Sequence, residues 1–225
     1  MVQPFYSDDL VSLYHGDCLE LADLWTGADV LICDPPYGIS YQSNKPKSGP
    51  TKAIAGDDTV SIRDAVLDLW GDKSAAVFGS WRKPRPIGAR NLVVWDKSDS
   101  GFPGMGDLHS IFGNSHEEIY IFGRWLRGER KRRPSVVRTR TSMASLSTKV
   151  GHPTPKPIEL MELLIEVAPP GVIADPFAGS GSTLIAARAQ GRRAIGIELD
   201  ETYCRIAAER LAATLPDADG LPAAA

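Results

Sequence analysis

Two short stretches of this 225-residue chain bring together residue types that do chemistry when they meet. Asp34-Pro35-Pro36-Tyr37 sets a carboxylate before two prolines and an aromatic ring. Two successive prolines fix φ twice and drive the backbone away from the segment before them. The rigid turn then presents the Asp34 carboxylate, the Pro35 carbonyl and the Tyr37 ring to one small space. An exocyclic amine needs two acceptors for its two N–H groups, and a planar heterocycle needs a ring to stack on. A lone Asp-Pro would more often be a stiffened turn with the Asp capping a backbone amide, so the tetrapeptide takes its weight from its company.

The second stretch is Asp175-Pro176-Phe177-Ala178-Gly179-Ser180-Gly181, which runs straight into a helical pattern. Its glycines let the backbone approach a ligand closely, and the helix N-terminus offers free N–H groups. Glu198 ends the next apolar run, where a carboxylate can accept hydrogen bonds from ribose hydroxyls. These features describe a nucleoside-binding half-site. A nicotinamide or flavin dinucleotide site is the competing reading, but its third glycine is missing: position 184 is Leu.

Both stretches must be positioned by something, and the apolar pattern supplies it. Val11–Tyr14, Asp29–Cys33, Ala75–Phe78, Leu92–Trp95, Ile119–Phe122, Val172–Ala174 and Ala194–Ile197 read as strands, several apolar on both faces. Helical patterns lie between them at Leu19–Leu24, Ser61–Trp70, Ile158–Val167, Thr183–Gln190 and Glu201–Leu215, with Asp17, Ser182 and Asp200 as N-caps. The alternation predicts an α/β fold: a doubly wound, mostly parallel, Rossmann-like sheet with helices on both faces. In such a sheet the parallel strands end on one rim, where ligands bind. That rim would gather His15-Gly16-Asp17, Asp34–Gly38, Gly79-Ser80-Trp81, Asp96-Lys97, the turn at 175–181 and Glu198. Trp81 reads first as a core tryptophan at a strand end, and second as a wall of the site.

Composition excludes several classes. With 43% apolar and 24% charged residues the chain is neither disordered throughout nor fibrous. No apolar run approaches the ~18 residues of a membrane span, and Met1–Asp9 lacks a signal-peptide pattern. Three dispersed cysteines, Cys18, Cys33 and Cys204, have no metal-ligand spacing and read as buried small residues in a reducing compartment. The net charge of −3 is unevenly spread. Residues 124–150 hold nine Lys or Arg against Glu129 alone, giving +8 and leaving −11 for the rest. A basic segment on an acidic body points to a polyanionic partner. Lys45, Lys47 and Lys52 add charge in the Gly/Ser/Pro-rich stretch after Tyr37. Residues 1–215 read as one domain with 124–150 inserted, and 216–225 as a flexible tail.

Taken together, the motifs resemble the β class of S-adenosylmethionine-dependent amino DNA methyltransferases, which modify adenine N6 or cytosine N4. In that class the DPPY-type motif precedes the FxGxG-type motif, a circularly permuted order, with a basic recognition segment between. Asp34–Tyr37, Arg124–Lys149 and Phe177–Gly181 stand in that order here. His15-Gly16-Asp17 and His152-Pro153-Thr154-Pro155-Lys156-Pro157 extend the match, which spans Val11–Leu211. His116-Glu117-Glu118 resembles a less specific motif of the family and receives no chemistry.

The resemblance implies roles by position. Phe177, Gly179 and Gly181 would line the methionine end of S-adenosylmethionine, with Asp175 near its amino group. Glu198 would hold the ribose, Asp17 the adenine ring, and Thr154 and Lys156 the cofactor carboxylate. Asp34, Pro35, Pro36 and Tyr37 would form the catalytic turn that grips a flipped base. Asp at the motif's first position resembles the adenine enzymes, whereas Ser is usual for cytosine N4. Arg124, Arg127, Arg130, Lys131, Arg132, Arg133, Arg138 and Arg140 would contact double-stranded DNA, positioning it through phosphates and reading guanine edges where Arg forks reach them.

The implied reaction is direct in-line methyl transfer to N6, yielding S-adenosylhomocysteine, without metal or covalent enzyme intermediate. Such a protein would be cytoplasmic and DNA-associated, encoded by a prokaryote or phage. The family also admits a homodimer and a cognate restriction endonuclease as partners. The short recognition segment suggests a short or loosely read DNA sequence. Cytosine-N4 methylation, adenine methylation of RNA, a catalytically silent DNA-binding protein and a nicotinamide dehydrogenase are the other readings.

Overall fold

The computed structural model describes residues 2–36, 60–98, 111–125, 132–139 and 155–214. Among these, nine strands form one sheet: β1 (Tyr6–Ser7), β2 (Val11–His15), β3 (Val30–Cys33), β4 (Ser74–Gly79), β5 (Asn91–Asp96), β6 (His116–Phe122), β7 (Val136–Arg138), β8 (Ile173–Asp175) and β9 (Ala194–Glu198). The helices are α1 (Ala22–Trp25), α2 (Ser61–Trp70), α3 (Ile158–Val167), α4 (Ser182–Ala189) and α5 (Glu201–Ala213). Spatial strand order is β1-β2-β9-β8-β3-β4-β6-β5-β7. From β2 to β4 the central strands are parallel; β6 runs antiparallel to both its neighbours.

This is the expected α/β sheet, with each of the seven anticipated strands present. Strand β3 is apolar at every position and all four residues are buried, as a central strand covered on both faces must be. Its odd and even residues serve different layers. Val30 and Ile32 join a core with α3, α4 and α5, while Leu31 and Cys33 face a second core with α1 and α2. In the second core Trp25 and Trp70 stack with centroids 6.1 Å apart. Cys18, Cys33 and Cys204 are buried free thiols. Burial pushes Cys18 and Cys204 up to about 12 and Cys33 well above the ordinary thiol range, so they act as small apolar residues.

Several local expectations need correction. Asp200 caps α5, accepting from the Thr202 N–H at 2.8 Å. Ser182 does not cap α4: Gly181 does, in the left-handed region, and Ser182 is already helical. Asp17 lies four residues ahead of Leu21, the N-cap of α1, and instead accepts from the Leu19 N–H at 2.7 Å within the preceding turn. Two strands were not expected. β1 pairs antiparallel with β2, and β7, from the basic stretch, adds to the edge beside β5. Val136-Val137 is too short a run among arginines and Pro134 to signal a strand without its neighbour.

Position in the sheet decides where a ligand goes. From β3 the next parallel strand lies on one side, β4; from β8 it lies on the other, β9. β3 and β8 are themselves paired, Val30 with Ile173 and Leu31 with Ala174. The strand order therefore reverses between them, and the crevice beyond their C-terminal ends is the ligand position in doubly wound folds.

Candidate active site

The two Asp-Pro turns leave the sheet side by side at that crevice. Asp34 continues the face of Ile32, and Asp175 that of Ile173, so both carboxylates emerge on the side covered by α3 and α4. Tyr37 and Thr154 lie outside the described residues.

Asp34 is engaged by Lys156, whose Nζ donates to its Oδ2. The lysine sits between Pro155 and Pro157, all three buried, just before α3. Prolines on both sides hold this backbone segment in one conformation, so the side chain approaches the strand ends from a fixed point. The same ammonium lies 3.3 Å from Glu117 Oε2, and Lys97 reaches Glu117 Oε1 at 2.9 Å. Phe78 of β4 lies beneath the ammonium, 5.0 Å from nitrogen to ring centroid. Carboxylate, ammonium, carboxylate and ammonium thus alternate from β3 across to β5.

Charges so placed need one another. The Lys156 side chain is only 5% exposed. Burial works against its ammonium, but Asp34 and Glu117 outweigh it and raise its pKa above the ordinary lysine value. Burial likewise opposes the Glu117 carboxylate, yet Lys156 and Lys97 hold it at about 2. Removing one member of such a set leaves an uncompensated buried charge, at about 3–5 kcal/mol.

Asp175 has a different setting. It is buried, accepts from the Phe177 N–H at 3.1 Å and takes the Thr183 hydroxyl, with no ion pair among the described residues. Burial pushes its carboxyl up to about 7, against those hydrogen bonds. The following turn needs its glycines: Gly179 and Gly181 have φ of +52° and +81°. A Cβ at Gly181 would stand 3.0 Å from that of Ala207 on α5. The Ser182 hydroxyl, in the first turn of α4, is buried and has no hydrogen-bond partner among the described residues.

Glu198 ends β9 and stitches this rim together. Its Oε2 accepts from the Gly179 N–H and its Oε1 from the Asp200 N–H, both at 2.8 Å. Burial raises its pKa, those N–H groups notwithstanding. Its carbonyl accepts from the Gly16 N–H at 2.9 Å, which brings the His15-Gly16-Asp17 turn against it. Arg210 of α5 donates to the carbonyl and, at 3.0 Å, to the hydroxyl of Ser180, securing the glycine turn from outside.

The remaining expected residues are spread more widely. Arg124, Arg132, Arg133 and Arg138 are exposed; Arg127, Arg130, Lys131 and Arg140 lie outside the described residues, as do Lys45, Lys47 and Lys52. Arg138 pairs with Asp96 at 2.6 Å and Arg133 with Glu166 at 2.5 Å. Trp81 is 57% exposed at the end of β4, so it is not a core residue. The turn after Gly79 carries it past the sheet into solvent. Glu117 was overlooked as a participant. Adjacent acids inside an apolar strand are a usable signal, since buried carboxylates require partners. Its neighbour Glu118 points to the opposite face, where it takes Arg85 and the Tyr120 hydroxyl, each at 2.5 Å.

Comparison with known proteins identifies the family. Residues 85–209, over half the chain, match the N6/N4 methyltransferase family described as DNA methylase. The chain is 32% identical to YubD of Escherichia coli (strain K12) over 217 residues, 88% of each protein. It is 26% identical over 263 residues to the type II methyltransferase M.HinfI of Haemophilus influenzae, covering 96% of this chain and 72% of that one. Its fold is similar to that in a crystal structure of the M1.HpyAVI–SAM complex, with TM-score 0.60 and 22% identity, covering 90% of this chain and all of the other. The chain belongs to the N6/N4 DNA methylase family.

Proposed function

We propose that this protein transfers the methyl group of S-adenosylmethionine to N6 of an adenine flipped out of double-stranded DNA. The observation that carries the reading is the Asp34-Pro35-Pro36 turn at the sheet's switch point, its carboxylate held by buried Lys156 beside the glycine turn. The residues present fit the cofactor. The buried acid Asp175 suits an ammonium, Glu198 and Asp17 offer acceptors for ribose hydroxyls and the exocyclic amine of adenine, and the Ser182 hydroxyl has no partner among the described residues. When bound, S-adenosylmethionine supplies an electrophilic methyl on sulfonium.

The chain's own residues then orient the amine, stabilise its charge, stack on the base, bind phosphates and hold the cofactor carboxylate. Asp34 and the Pro35 carbonyl accept the two N–H groups of the target amine, which favours a more tetrahedral nitrogen and aims its lone pair. Positioning and preorganised acceptors account for such a step. Asp34 also stabilises the positive charge that develops on the nitrogen, while Lys156, a protonated donor, balances the carboxylate without competing for the proton. Tyr37 stacks on the extruded base and recovers part of the few kcal/mol that flipping costs. Exposed Arg124 and Arg132, with the rest of 124–150, bind phosphates. Thr154 meets the cofactor carboxylate, while Lys156 is turned to Asp34.

Mass spectrometry of nucleosides after reaction with labelled cofactor tests the assignment. N6-methyladenine is expected. N4-methylcytosine alone would replace the adenine reading with the cytosine one, to which the same pair of acceptors also fits.

A further inference from the structure

Glu117 has no role in the chemistry described so far, yet through the Lys156 ammonium it connects β6 to Asp34. It is 13% exposed in a strand otherwise committed to the core, between two ammonium groups. We propose that Glu117 is a positioning residue for methyl transfer, fixing through the Lys156 ammonium the orientation of the Asp34 carboxylate toward the target amine. The inference rests on the reading of Asp34 as the acceptor for that amine.

The geometry fits an anchor of this kind. Lys156 enters on a flexible four-carbon stem, and an ammonium is a point charge whose three donors rotate freely. Held by Asp34 alone, it could follow that carboxylate through any rotation. Bound also to Glu117 at 3.3 Å, with the Phe78 ring at 5.0 Å beneath it, the nitrogen has one place to stand. Glu117 is itself fixed, because β6 pairs on both sides and Lys97 takes its other oxygen at 2.9 Å. Asp34 lies beyond the last residue of β3, on a turn whose prolines leave no backbone N–H at 35 or 36 to hold its carboxylate. The chain Lys97–Glu117–Lys156 reaches that carboxylate from the paired strands of the sheet.

Glu117→Gln separates positioning from mere structure. It keeps shape and one hydrogen-bond acceptor but removes a charge from beside Lys156. Among the described residues, Asp34 after β3 and Glu117 on β6 face that ammonium. Lys97 after β5 lies beyond Glu117, and Asp175 at the end of β8 lies beyond Asp34. With one of its two carboxylates gone, buried Lys156 releases its proton at lower pH.

The experiment measures tritiated methyl transfer from saturating S-adenosylmethionine to plasmid DNA from a methylation-deficient host, from pH 6 to 9.5. Glu117→Gln is expected to be up to about 100-fold slower at neutral pH, the scale of a misplaced reacting group. It should also fall further as pH rises, where the wild type stays level, while calorimetric cofactor affinity changes by less than about threefold. Glu117→Asp should restore the level profile and part of the rate. A Glu117→Gln rate within threefold of wild type across the range overturns the proposal. So does a slow variant whose pH profile parallels the wild type. Should Glu117→Gln fail to fold, Glu117→Asp decides alone: a reduced rate with a level profile supports the anchor, an unchanged rate refutes it. Asp34→Ala runs alongside. If it keeps wild-type turnover, the acceptor reading itself has failed; if it is inactive while Glu117→Gln is normal, only the anchor has.

Discussion

The turns after β3 and β8 begin with the same dipeptide, Asp-Pro, on paired neighbouring strands, yet their carboxylates live in opposite electrostatic settings. Asp34 has a cation against it and a chain of alternating charges behind it. Asp175 has hydrogen bonds and burial, which push it up to about 7. The difference teaches that a motif specifies a direction for a carboxylate, while its charge state is set by what packs around it. It also accords with the proposed roles. An acceptor for a neutral amine should stay anionic throughout the reaction, and Asp34 is equipped for that. An acid meant to receive a cationic ligand can sit without a cationic partner until the ligand arrives, as Asp175 does among the described residues.

The comparison can be broken most forcefully at Asp34. Asp34→Ala is expected to lower methyl transfer by about 100- to 1000-fold, the cost of one preorganised group at a developing charge. Cofactor affinity by calorimetry should hardly change, and a parallel loss of both would merge the two turns into one function. Asp175→Asn should do the reverse. Loss of a hydrogen bond to a charged group, about 1.5–3 kcal/mol, corresponds to roughly 10- to 150-fold weaker S-adenosylmethionine binding. Titration of the variant with cofactor reads this directly.

A smaller effect concerns stability. Asp175 has a folded-state pKa raised to about 7 from an ordinary 3.8, so its contribution favours folding below about 3.8 and is lost as pH rises through about 7. Without cofactor, the melting temperature of the wild type relative to Asp175→Asn should therefore climb as pH falls from 8 to 5. The expected gain is at least about 2–4 °C, the equivalent of 1 kcal/mol in a chain of this size. A flat difference would mean Asp175 is anionic throughout. Glu117 moves oppositely: held at about 2, its contribution is present above about 4.5 and is lost only as pH falls through about 2, outside that window. The smallest effect belongs to the exposed arginines. Arg132→Ala should leave melting unchanged within about 0.5 kcal/mol and lower the slope of log affinity against log salt by about 0.9. An unchanged slope would remove Arg132 from the phosphate contacts.

Much of the site was legible because its signals are local. Asp-Pro-Pro and Gly179-Ser180-Gly181 announce a rigid turn and a close approach whatever surrounds them, and Asp200 was a readable cap. Ser182 shows the limit of such reasoning. A serine before a helical run is a sound N-cap candidate, but the left-handed Gly181 took the capping position one residue earlier. Trp81 shows another limit, since an aromatic at a strand end is buried only if a helix covers it, and here it is exposed.

The sequence by itself determined the alternation of strands and helices, the two turns and the family to which they belong, because each depends on periodicity or on backbone-restricted residues close together in the chain. Tertiary structure alone decided which residues share the crevice and in which charge state. Lys156 is 122 positions from Asp34, and nothing local foretells that it turns to that carboxylate and to Glu117. Strand order made the decision: by placing β3 between β8 and β4, and β6 beyond β4, it brought distant charges together around the buried Lys156 ammonium, which needs carboxylates beside it.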